Sequence, residues 1–530
     1  TLYGQTQIVQ FPRFIDNLRF FFDYQVSYMY VRYFLWNFVG RQNDFHGQIP
    51  GDRLCGNWES GIPFIDNPRL GDQSSGPDVF VNNKAKNHYF FLPLILGLIG
   101  LCFQFNKDRR GSWLTFLMFF MTGIAIVIYL NQPPYQVRER DYAYAGSFYF
   151  FSAWIGIGVI AIYDFLSKKV KGHGALTAAV VTVACLFVPT LMAAQNWDDH
   201  DRSGRRTAVE LASNYLNSVG PNGILITHGD NDTFPLWYAQ EVESVRTDVR
   251  ICNTSLLGTD WHIDQMKYAC NESAPLKLSI PHSMYLYGTN EFVPIVDDSG
   301  EPMLISEAIA KFMDSKNRVK LVGGRRVPYL CARNLIIPVN KENCVKAGIM
   351  PKGADIPDHI VLNIPTGKSN LTKPELFLLD FLSNYDWSRP LNMLNMGGDL
   401  NVGIKDYLEY EGFSYKFIPR KNRPSALNPG YQNINEMYRK MTQVYKWDAL
   451  AADDYFIDYQ NEYSFLGVLS VRQLFLSMAN TLIACGENEK AVQMLDKGCE
   501  VMRRYPLETI PIGFSGNDYI VMMMVESYFN

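Results

Sequence analysis

The sequence has little charge and no excess of either sign. Of its 530 residues, 49 are Lys or Arg and 53 are Asp or Glu, a formal net charge of −4. This near balance excludes a whole-chain basic field, and we expect no nucleic-acid partner. Nine cysteines include no CxxC pair and eight histidines are scattered singly, which argues against a zinc-finger site and a disulfide framework. Charged residues make up only 19%, below the roughly 25% of soluble domains, and aromatic residues reach 14%, so a membrane contribution is indicated.

Four long uncharged runs lie in one block of the chain. Each is close to the roughly 20 residues that a bilayer-spanning helix needs, and none carries a central charge. The alternative is that the four runs are buried helices of a soluble core. This interpretation is weaker, because four consecutive uncharged segments with short polar connectors are rare in soluble folds. We therefore predict four transmembrane helices within residues 89–197. The runs are Tyr89 to Asn106, Gly111 to Val137, Tyr142 to Tyr163 and Gly174 to Trp197.

The connectors between these runs predict an orientation. Asn106 to Arg110 joins the first two runs, Lys168 to Lys171 joins the last two, and both connectors are basic. By the positive-inside rule both loops face the cytoplasm. Residues 1–88, the loop 131–141 and everything after Trp197 are then expected on the other face, which is the periplasm in a bacterium.

Residues 1–88 are predicted to hold an interfacial amphipathic helix and a long outer loop. Residues 14–39 are apolar and aromatic, but a helix there could span the membrane only by burying four charges, so a helix lying along the interface is favoured. Residues 40–86 are rich in Gly, Pro, Asn and Asp and show no sustained period, which predicts a loop. The four charged residues are Asp16, Arg19, Asp23 and Arg32.

Beyond Trp197 the pattern changes to short buried strands alternating with helices, and then to helices alone. This predicts a periplasmic α/β domain over residues 198–425 and a helical segment over residues 426–530. Within the latter, residues 478–506 resemble a tetratricopeptide-like hairpin. The predicted fold is thus a membrane α-helical block of about four spans, an α/β domain and a tetratricopeptide-like segment. The two predicted strand–helix–strand units are Gly223–Thr227, Pro235–Val242 and Val249–Cys252, and Leu391–Leu394, Val402–Tyr410 and Ser414–Ile418.

The outer loop carries four consecutive charged residues at the start of the third uncharged run. Arg138 and Arg140 alternate with Glu139 and Asp141 where a lipid headgroup would lie. Guanidinium groups bind phosphate in a bidentate manner, and the carboxylates would hold the arginines or bind a metal. The alternative is an interfacial anchor with mutual salt bridges, although such anchors seldom alternate in sign.

A second polar cluster follows the strand predicted at residues 223–227. Asp230 and Asp232 lie between that strand and the next helix, the position where ligands bind in α/β folds. An Asp-x-Asp pair supplies hard oxygens for a divalent metal. Equally, Asp232 or Thr233 would cap the helix with Pro235 in its first turn, and the spacing leaves both interpretations open.

Four segments together resemble a family of large bacterial polytopic membrane proteins, long labelled only as a domain of unknown function. That family is related to the eukaryotic TMEM-type protein O-mannosyltransferase, and its members resemble the GT-C superfamily of lipid-donor glycosyltransferases. The resemblance extends through most of the chain, which corresponds to the C-terminal half of such a protein. The segments are Arg13 to Arg19 (RFIDNLR), Trp36 to Asp44 (WNFVGRQND), Arg138 to Tyr142 (RERDY) and Gly229 to Tyr238 (GDNDTFPLWY).

The resemblance implies a glycosyltransferase of the bacterial inner membrane with its site on the periplasmic face. The enzyme would take a sugar from a polyprenyl-phosphate carrier and pass it to protein Ser or Thr hydroxyls. Family members usually carry a further membrane block before the position of Thr1, with the catalytic carboxylate in its first outer loop, so we expect that block as a partner. The other expected partners are the bilayer, the lipid-linked sugar and acceptor proteins, with no certain cofactor and a divalent metal possible.

We assign candidate roles to ten residues on this basis. Arg138 and Arg140 are expected to bind the donor phosphate, and Glu139 and Asp141 are the candidate catalytic carboxylates within this sequence. The candidates for binding substrate are Asp230, Asp232, Arg19, Arg32, Arg41 and Asp44. The competing hypothesis is a non-enzymatic scaffold of an envelope secretion or assembly complex that binds its partners through the helical tail.

Overall fold

The computed structural model divides the chain into two compact units, one ending at Gly204 and the other beginning at Arg205. It describes residues 12–47, 50–76, 78–136, 138–170, 172–297, 300–321, 323–394, 400–422, 433–452, 468–503 and 517–529. The predicted domain boundary between residues 425 and 426 lies outside the described residues.

The first unit is helical apart from one two-stranded pair. A π-helical segment, Phe20–Val31, joins α1 to α2, and a 3-10 turn, Asp141–Tyr144, leads into α8. The helices are α1 (Phe14–Arg19), α2 (Arg32–Phe38), α3 (Pro63–Leu70), α4 (Asp78–Val81), α5 (Leu92–Lys107), α6 (Arg109–Met121), α7 (Ile124–Leu130), α8 (Ala145–Lys169) and α9 (Gly174–His200); the strands are β1 (Gly40–Arg41) and β2 (Asn87–His88).

Three helical stretches of the described chain are long and apolar enough to cross a membrane. They are Arg109–Leu130, Asp141–Lys169 and Gly174–His200. The first predicted span corresponds to α5, whose 16 residues reach only about 24 Å at 1.5 Å per residue, less than a typical hydrocarbon core. Membrane association is therefore supported by three helices, and a fourth span stays a prediction.

Glycines allow α5 and α8 to approach closely. A Cβ built on Gly100 would lie 1.8 Å from the carbonyl oxygen of Trp154, and one built on Gly158 would lie 2.2 Å from that of Leu96. Backbones that meet in this way leave no room for any side chain, a packing mode typical of membrane helices. The pair is the central contact of this unit.

The aromatic N-terminal helix turns its tyrosines inward. Tyr24, Tyr28, Tyr30 and Tyr33 are buried and pack with Trp36, Val127 and Tyr144. Phe14, Ile15 and Phe22 lie on the exposed side of the same helix. The sequence thus predicted the helix, and the structure adds that one face of it packs against residues of two candidate spans, among them Val127 and Tyr144.

Residues 40–86 contain more regular structure than the predicted loop. β1 pairs antiparallel with β2, and α3 occupies Pro63–Leu70 within the predicted loop. The Asp66 carboxylate accepts hydrogen bonds from the backbone N–H groups of Ser60, Gly61 and Ile62, so it ties the start of α3 back on itself. This prediction was wrong because a helix of eight residues with two prolines carries too weak a periodic signal.

The second unit is built on a five-stranded sheet with the order β13-β14-β12-β3-β4. Its strands β12, β3 and β4 are parallel, with β4 at one edge of the sheet, while β14 and β13 are antiparallel additions at the other. The strands of this unit are β3 (Ile224–Thr227), β4 (Arg250–Asn253), β5 (Phe292–Pro294), β6 (Met303–Leu304), β7 (Val319–Lys320), β8 (Arg326–Val327), β9 (Asn334–Pro338), β10 (His359–Asn363), β11 (Asn370–Thr372), β12 (Leu391–Met393), β13 (Leu408–Tyr410) and β14 (Tyr415–Phe417).

Helices cover this sheet and a smaller three-stranded one of order β10-β9-β6. α11 begins at Asp230, five residues before the predicted start at Pro235. The helix predicted over Val402–Tyr410 is wrong, because this stretch holds a 3-10 turn, Ile404–Asp406, followed by β13. The helices are α10 (Thr207–Ser218), α11 (Asp230–Glu241), α12 (Asp260–Met266), α13 (Ile305–Met313), α14 (Lys341–Lys346), α15 (Lys373–Ser383), α16 (Ile434–Arg439), α17 (Asp448–Ala451), α18 (Val468–Ala484), α19 (Asn488–Val501) and α20 (Asn517–Phe529).

The end of the chain is helical where it is described. α18 and α19 pack against each other around a turn at Gly486, which has a left-handed φ of +76°. This is the helical hairpin that the sequence predicted. Its tetratricopeptide character stays a prediction, because a single hairpin does not distinguish this repeat from other helical pairs.

Candidate functional site

The outer loop sends its charged side chains in two directions. Glu139 points inward and is only 5% exposed, whereas its neighbours Arg138 and Arg140 are half-buried. The loop therefore has an inner carboxylate and an outer pair of guanidinium groups.

Arg32 holds the inner carboxylate with two hydrogen bonds. Its Nη2 lies 2.7 Å from Glu139 Oε2, and its Nη1 lies 3.1 Å from Oε1. The same guanidinium donates to the backbone carbonyls of Gly56 and Tyr28, at 2.6 and 3.0 Å. Arg32 is 5% exposed and its charge faces the ring of Tyr28 at 4.1 Å, so this ion pair is fully enclosed. Such a pair is stable only when its remaining hydrogen-bonding positions are also filled.

Two further donors complete the shell of Glu139. The backbone N–H of Gly47 donates to Oε1 at 2.9 Å, and the hydroxyl of Tyr33 donates to Oε2. Burial by itself would raise the pKa of Glu139, but the Arg32 guanidinium outweighs it and holds that pKa below its ordinary value. Glu139 is therefore an ionised carboxylate whose two oxygens are both bound by protein donors.

The two outer arginines meet at Tyr142. Arg140 Nη1 donates to the Tyr142 hydroxyl at 2.8 Å, and the Arg138 guanidinium carbon lies 5.6 Å from the centre of the Tyr142 ring. Arg140 Nε also contacts Gln136 Oε1 at 3.3 Å. Tyr142 is 56% exposed at the beginning of the stretch Asp141–Lys169, so both positive charges lie beside an accessible surface.

The other candidates of this unit are dispersed. The Arg41 guanidinium stacks over Trp36 at 4.2 Å, on the ring that Arg32 also faces at 4.8 Å. Asp44 is buried and accepts a hydrogen bond from Asn83 Nδ2 at 2.7 Å. Arg19 is exposed at the end of α1, and Asp141 is half-buried at the 3-10 turn. The structure thus brings together Arg32, Arg41 and Glu139.

Asp232 in the second unit serves the backbone. Its Oδ2 accepts the N–H of His228 at 2.8 Å and its Oδ1 accepts that of Gly229 at 2.8 Å, which fixes the loop between β3 and α11. Asp230 is exposed, and its Oδ1 accepts the N–H of Asn231 at 3.0 Å. The capping interpretation therefore describes Asp232 in this structure, and Asp230 projects into solvent.

A buried polar network supports the same loop from below. The hydroxyls of Thr227 and Thr233 lie 2.6 Å apart, and Asn253 Nδ2 donates to Thr233 at 2.8 Å and to the Gly229 carbonyl at 3.0 Å. Beside the loop, a cavity of about 300 Å³ is lined by residues of α10 and by residues 228–232. Asp230 therefore lies on the rim of a cavity at the carboxyl end of a parallel strand, where α/β folds bind ligands.

Sequence reasoning missed Tyr33 and Tyr142 as parts of the charged site. Each directly follows a charged candidate, Arg32 in one case and Asp141 in the other. A tyrosine beside a buried charge is a usable signal, because its hydroxyl must find a polar partner when the ring is buried. The spacing between Arg32 and Glu139 offers no such signal.

The described residues do not form a complete binding site for a divalent metal. Within the described part of the chain, no group of three or more His, Cys, Asp or Glu side chains is placed to hold an ion. Asp230 on the cavity rim could supply one oxygen, and a magnesium ion commonly takes its other oxygens from water and substrate phosphate. All nine cysteines are free thiols.

Comparison with known proteins relates the second unit to one family. Residues 208–438 match the family model described as TMEM260-associated domain 2. The chain matched none of the curated proteins and none of the solved structures with which it was compared. The second unit is therefore similar to TMEM260-associated domain 2 over these residues, and the three candidate spans indicate membrane association.

Proposed function

We propose that this chain forms part of a membrane glycosyltransferase that moves a sugar from a polyprenyl-phosphate carrier to protein Ser or Thr hydroxyls. The observation that carries the proposal is the pair Arg138 and Arg140 around Tyr142, at the first residues of a candidate span. Two guanidinium groups at headgroup depth suit a lipid phosphate. The match to the TMEM260-associated domain, together with the resemblance to TMEM-type O-mannosyltransferases, favours sugar transfer over other reactions of such lipids.

The chemistry assigned to the site is a single displacement. A carboxylate takes the proton of the acceptor hydroxyl, whose oxygen bonds to the anomeric carbon as the bond from that carbon to the phosphate oxygen breaks. The electron pair and the growing negative charge stay on the lipid phosphate, where Arg138 and Arg140 stabilise them. Asp141 is the better base candidate within the described residues, since both oxygens of Glu139 are bound. The resemblance places another candidate carboxylate in the preceding membrane block.

The proposed setting is the inner membrane of a bacterium with the site on the periplasmic face. The basic connectors Asn106 to Arg110 and Lys168 to Lys171 support this orientation through the positive-inside rule. The bilayer, the lipid-linked sugar, the acceptor protein and the preceding membrane block are the proposed partners. The cavity beside Asp230 is the proposed contact of the α/β unit with substrate.

The proposal is tested by the lipid that remains on the purified protein. We expect mass spectrometry to find polyprenyl phosphate on the wild type and little on the double variant Arg138→Ala, Arg140→Ala. Transfer by the complete protein should fall roughly 30- to 1000-fold for either single variant, because each removes about 2 to 4 kcal/mol of stabilisation from the leaving phosphate.

Arg110→Ala is the matched control, since it removes an exposed guanidinium from the connector at the other end of the spans. It should bind lipid and transfer sugar as the wild type does. If the Arg138→Ala and Arg140→Ala variants also keep wild-type transfer, the outer arginines are an interfacial anchor and the donor site lies elsewhere.

A scaffold of an envelope assembly is the second candidate function, favoured by α20. This helix exposes apolar side chains along its length: Tyr519, Met522, Val525, Tyr528 and Phe529. An apolar surface of this kind is typical of protein–protein contacts. The scaffold function predicts that Met522→Glu, Val525→Glu abolishes complex formation while lipid content stays unchanged, whereas the transferase function predicts that Arg138→Ala removes the lipid with the complex intact.

A further inference from the structure

Tyr33 connects the inner carboxylate to the backbone of the outer loop. Its hydroxyl donates to Glu139 Oε2 and accepts the backbone N–H of Arg140 at 3.1 Å. The side chain is completely buried on α2, between Arg32 and the aromatic core. One oxygen atom thus links the carboxylate to the peptide group that carries the second outer arginine.

We infer that Tyr33 is a positioning residue for a phosphate group bound by Arg138 and Arg140, a role that rests on the function proposed above. Tyr33 would not touch the phosphate itself. It would hold the Arg140 peptide so that the guanidinium groups on either side of Glu139 face the Tyr142 surface together.

The geometry supports this role because Tyr33 contacts the loop backbone at one of the two outer arginines. Side chains of the aromatic helix bind the loop carbonyls of residues 132 and 133, and the Arg140 carbonyl accepts the N–H of Ala143 at 3.1 Å. Arg32 and Gly47 fix the carboxylate of Glu139, which is one side chain away from the backbone. The Tyr33 hydroxyl adds the bond to the Arg140 N–H, so its loss would loosen the peptide that carries the second outer guanidinium.

The electrostatics keep the Tyr33 hydroxyl in the state that the link requires. Burial raises the pKa of Tyr33 well above its ordinary value, and the negative charge of Glu139 raises it further. The hydroxyl therefore keeps its proton, donates it to the carboxylate and leaves a lone pair for the Arg140 N–H. A phenolate in this place would repel Glu139.

The chain offers a matched control three residues away. Tyr30 is equally buried in the same aromatic helix, but its hydroxyl donates to Ser147 Oγ at 3.1 Å and makes no contact with the loop. Tyr33→Phe and Tyr30→Phe each remove one buried hydroxyl and keep the ring. A general loss of packing or stability would affect both variants, whereas the positioning role belongs to Tyr33 alone.

The experiment measures binding of polyprenyl monophosphate to the whole chain in phosphatidylcholine nanodiscs, with inorganic phosphate as competitor. We expect Tyr33→Phe to bind the lipid roughly five- to tenfold more weakly than the wild type, the effect of losing one ordinary hydrogen bond. Tyr30→Phe should bind as the wild type does. Hydrogen exchange should become faster at the Arg140 amide in Tyr33→Phe and stay unchanged in Tyr30→Phe.

Other outcomes separate this inference from the proposed function. Equal lipid affinity and equal Arg140 exchange in Tyr33→Phe and wild type overturn the positioning role and leave the donor site standing. Inorganic phosphate that competes as well as the lipid overturns the lipid ligand, and Tyr33 is then judged by the phosphate affinities of the two variants. A wild type that binds neither overturns both. Should Tyr33→Phe fail to fold, Arg32→Lys replaces it. This variant keeps the buried positive charge but loses the paired hydrogen bonds to Glu139, and it should also weaken binding of the lipid.

Discussion

Glu411 lies between two lysines at the junction of the α/β sheet and α16. Its Oε1 is 2.7 Å from Lys416 Nζ, and its Oε2 is 2.9 Å from Lys440 Nζ. Burial alone would raise the pKa of Glu411, but the two ammonium groups lower it to about 2. A group with a depressed folded-state pKa stabilises the fold above its unfolded pKa and loses this contribution as the pH falls.

We therefore predict an acid-sensitive second unit. The wild type should lose stability as the pH falls from about 5 towards 2, because in this range the unfolded chain binds a proton at Glu411 and the folded chain does not. Glu411→Gln should show a flatter profile in this range and cost about 3 to 5 kcal/mol at neutral pH, since Lys440 loses its carboxylate and Lys416 is left with Glu409. Thermal melting of the whole chain against pH measures both effects.

Glu436→Gln is the control for this prediction. Glu436 pairs with Arg439 on the surface of α16, so its removal should cost no more than about 1 kcal/mol. A Glu411→Gln variant with the same acid profile as the wild type would show that other carboxylates set the acid limit.

Asp230 and Asp232 should respond differently to substitution. Asp232 accepts two backbone N–H groups, so Asp232→Ala should cost about 0.5 to 2 kcal/mol of stability, and Asp232→Asn should restore part of it. Asp230 is exposed, so Asp230→Asn should leave the melting temperature near wild type yet lower transfer by the complete protein at least tenfold. Normal transfer by Asp230→Asn would remove this loop from the site.

The residues of the outer site were predictable only in part. Alternating charges at the start of an uncharged run were sufficient to select Arg138 and Arg140. Nothing in the sequence pairs Arg32 with Glu139, because the two residues are 107 positions apart and neither lies in a periodic pattern with the other. Glu139 was therefore assigned a catalytic role, although the structure shows its oxygens bound by Arg32, Tyr33 and Gly47.

At the scale of elements, the contact of α5 with α8 depends on glycines, which have no side chain to keep the two backbones apart. We predict that Gly100→Ala destabilises the first unit by about 1 to 3 kcal/mol, because the new methyl group would overlap the Trp154 carbonyl oxygen. Gly156→Ala is the matched control on α8, where a Cβ meets no atom within 4 Å. Thermal melting in detergent compares the two variants. Equal melting temperatures would show that the close contact of α5 with α8 does not stabilise the first unit.

Long uncharged or buried elements were predictable and short ones were not. The strands β3, β4 and β12 are buried along their whole length, and their predicted positions, like that of β14, agree with the structure to within a residue or so. The helix expected over Val402–Tyr410 failed because Gly403 takes a left-handed φ of +86° and Gly412 one of +89°. These glycines break the segment into a turn and a hairpin that the apolar spacing alone does not reveal.

For the whole molecule, the decisive prediction is topology. Single cysteines introduced at Lys169 and Asp230 in a background without the nine native cysteines should be labelled from opposite sides of the membrane. The reason is the basic charge of the two short connectors, which the positive-inside rule expects to face the cytoplasm. Labelling of both positions from the same side would overturn the orientation and place the second unit in the other compartment.

The enclosed pair of Arg32 and Glu139 also sets an order of events during synthesis. A ribosome that adds about 5 to 20 residues per second needs roughly 5 to 20 s to make the stretch between them. Throughout that interval the guanidinium lacks its carboxylate, although the Gly56 carbonyl that it also binds is made much sooner. This part of the unit therefore reaches its final contacts only after residue 139 has been made.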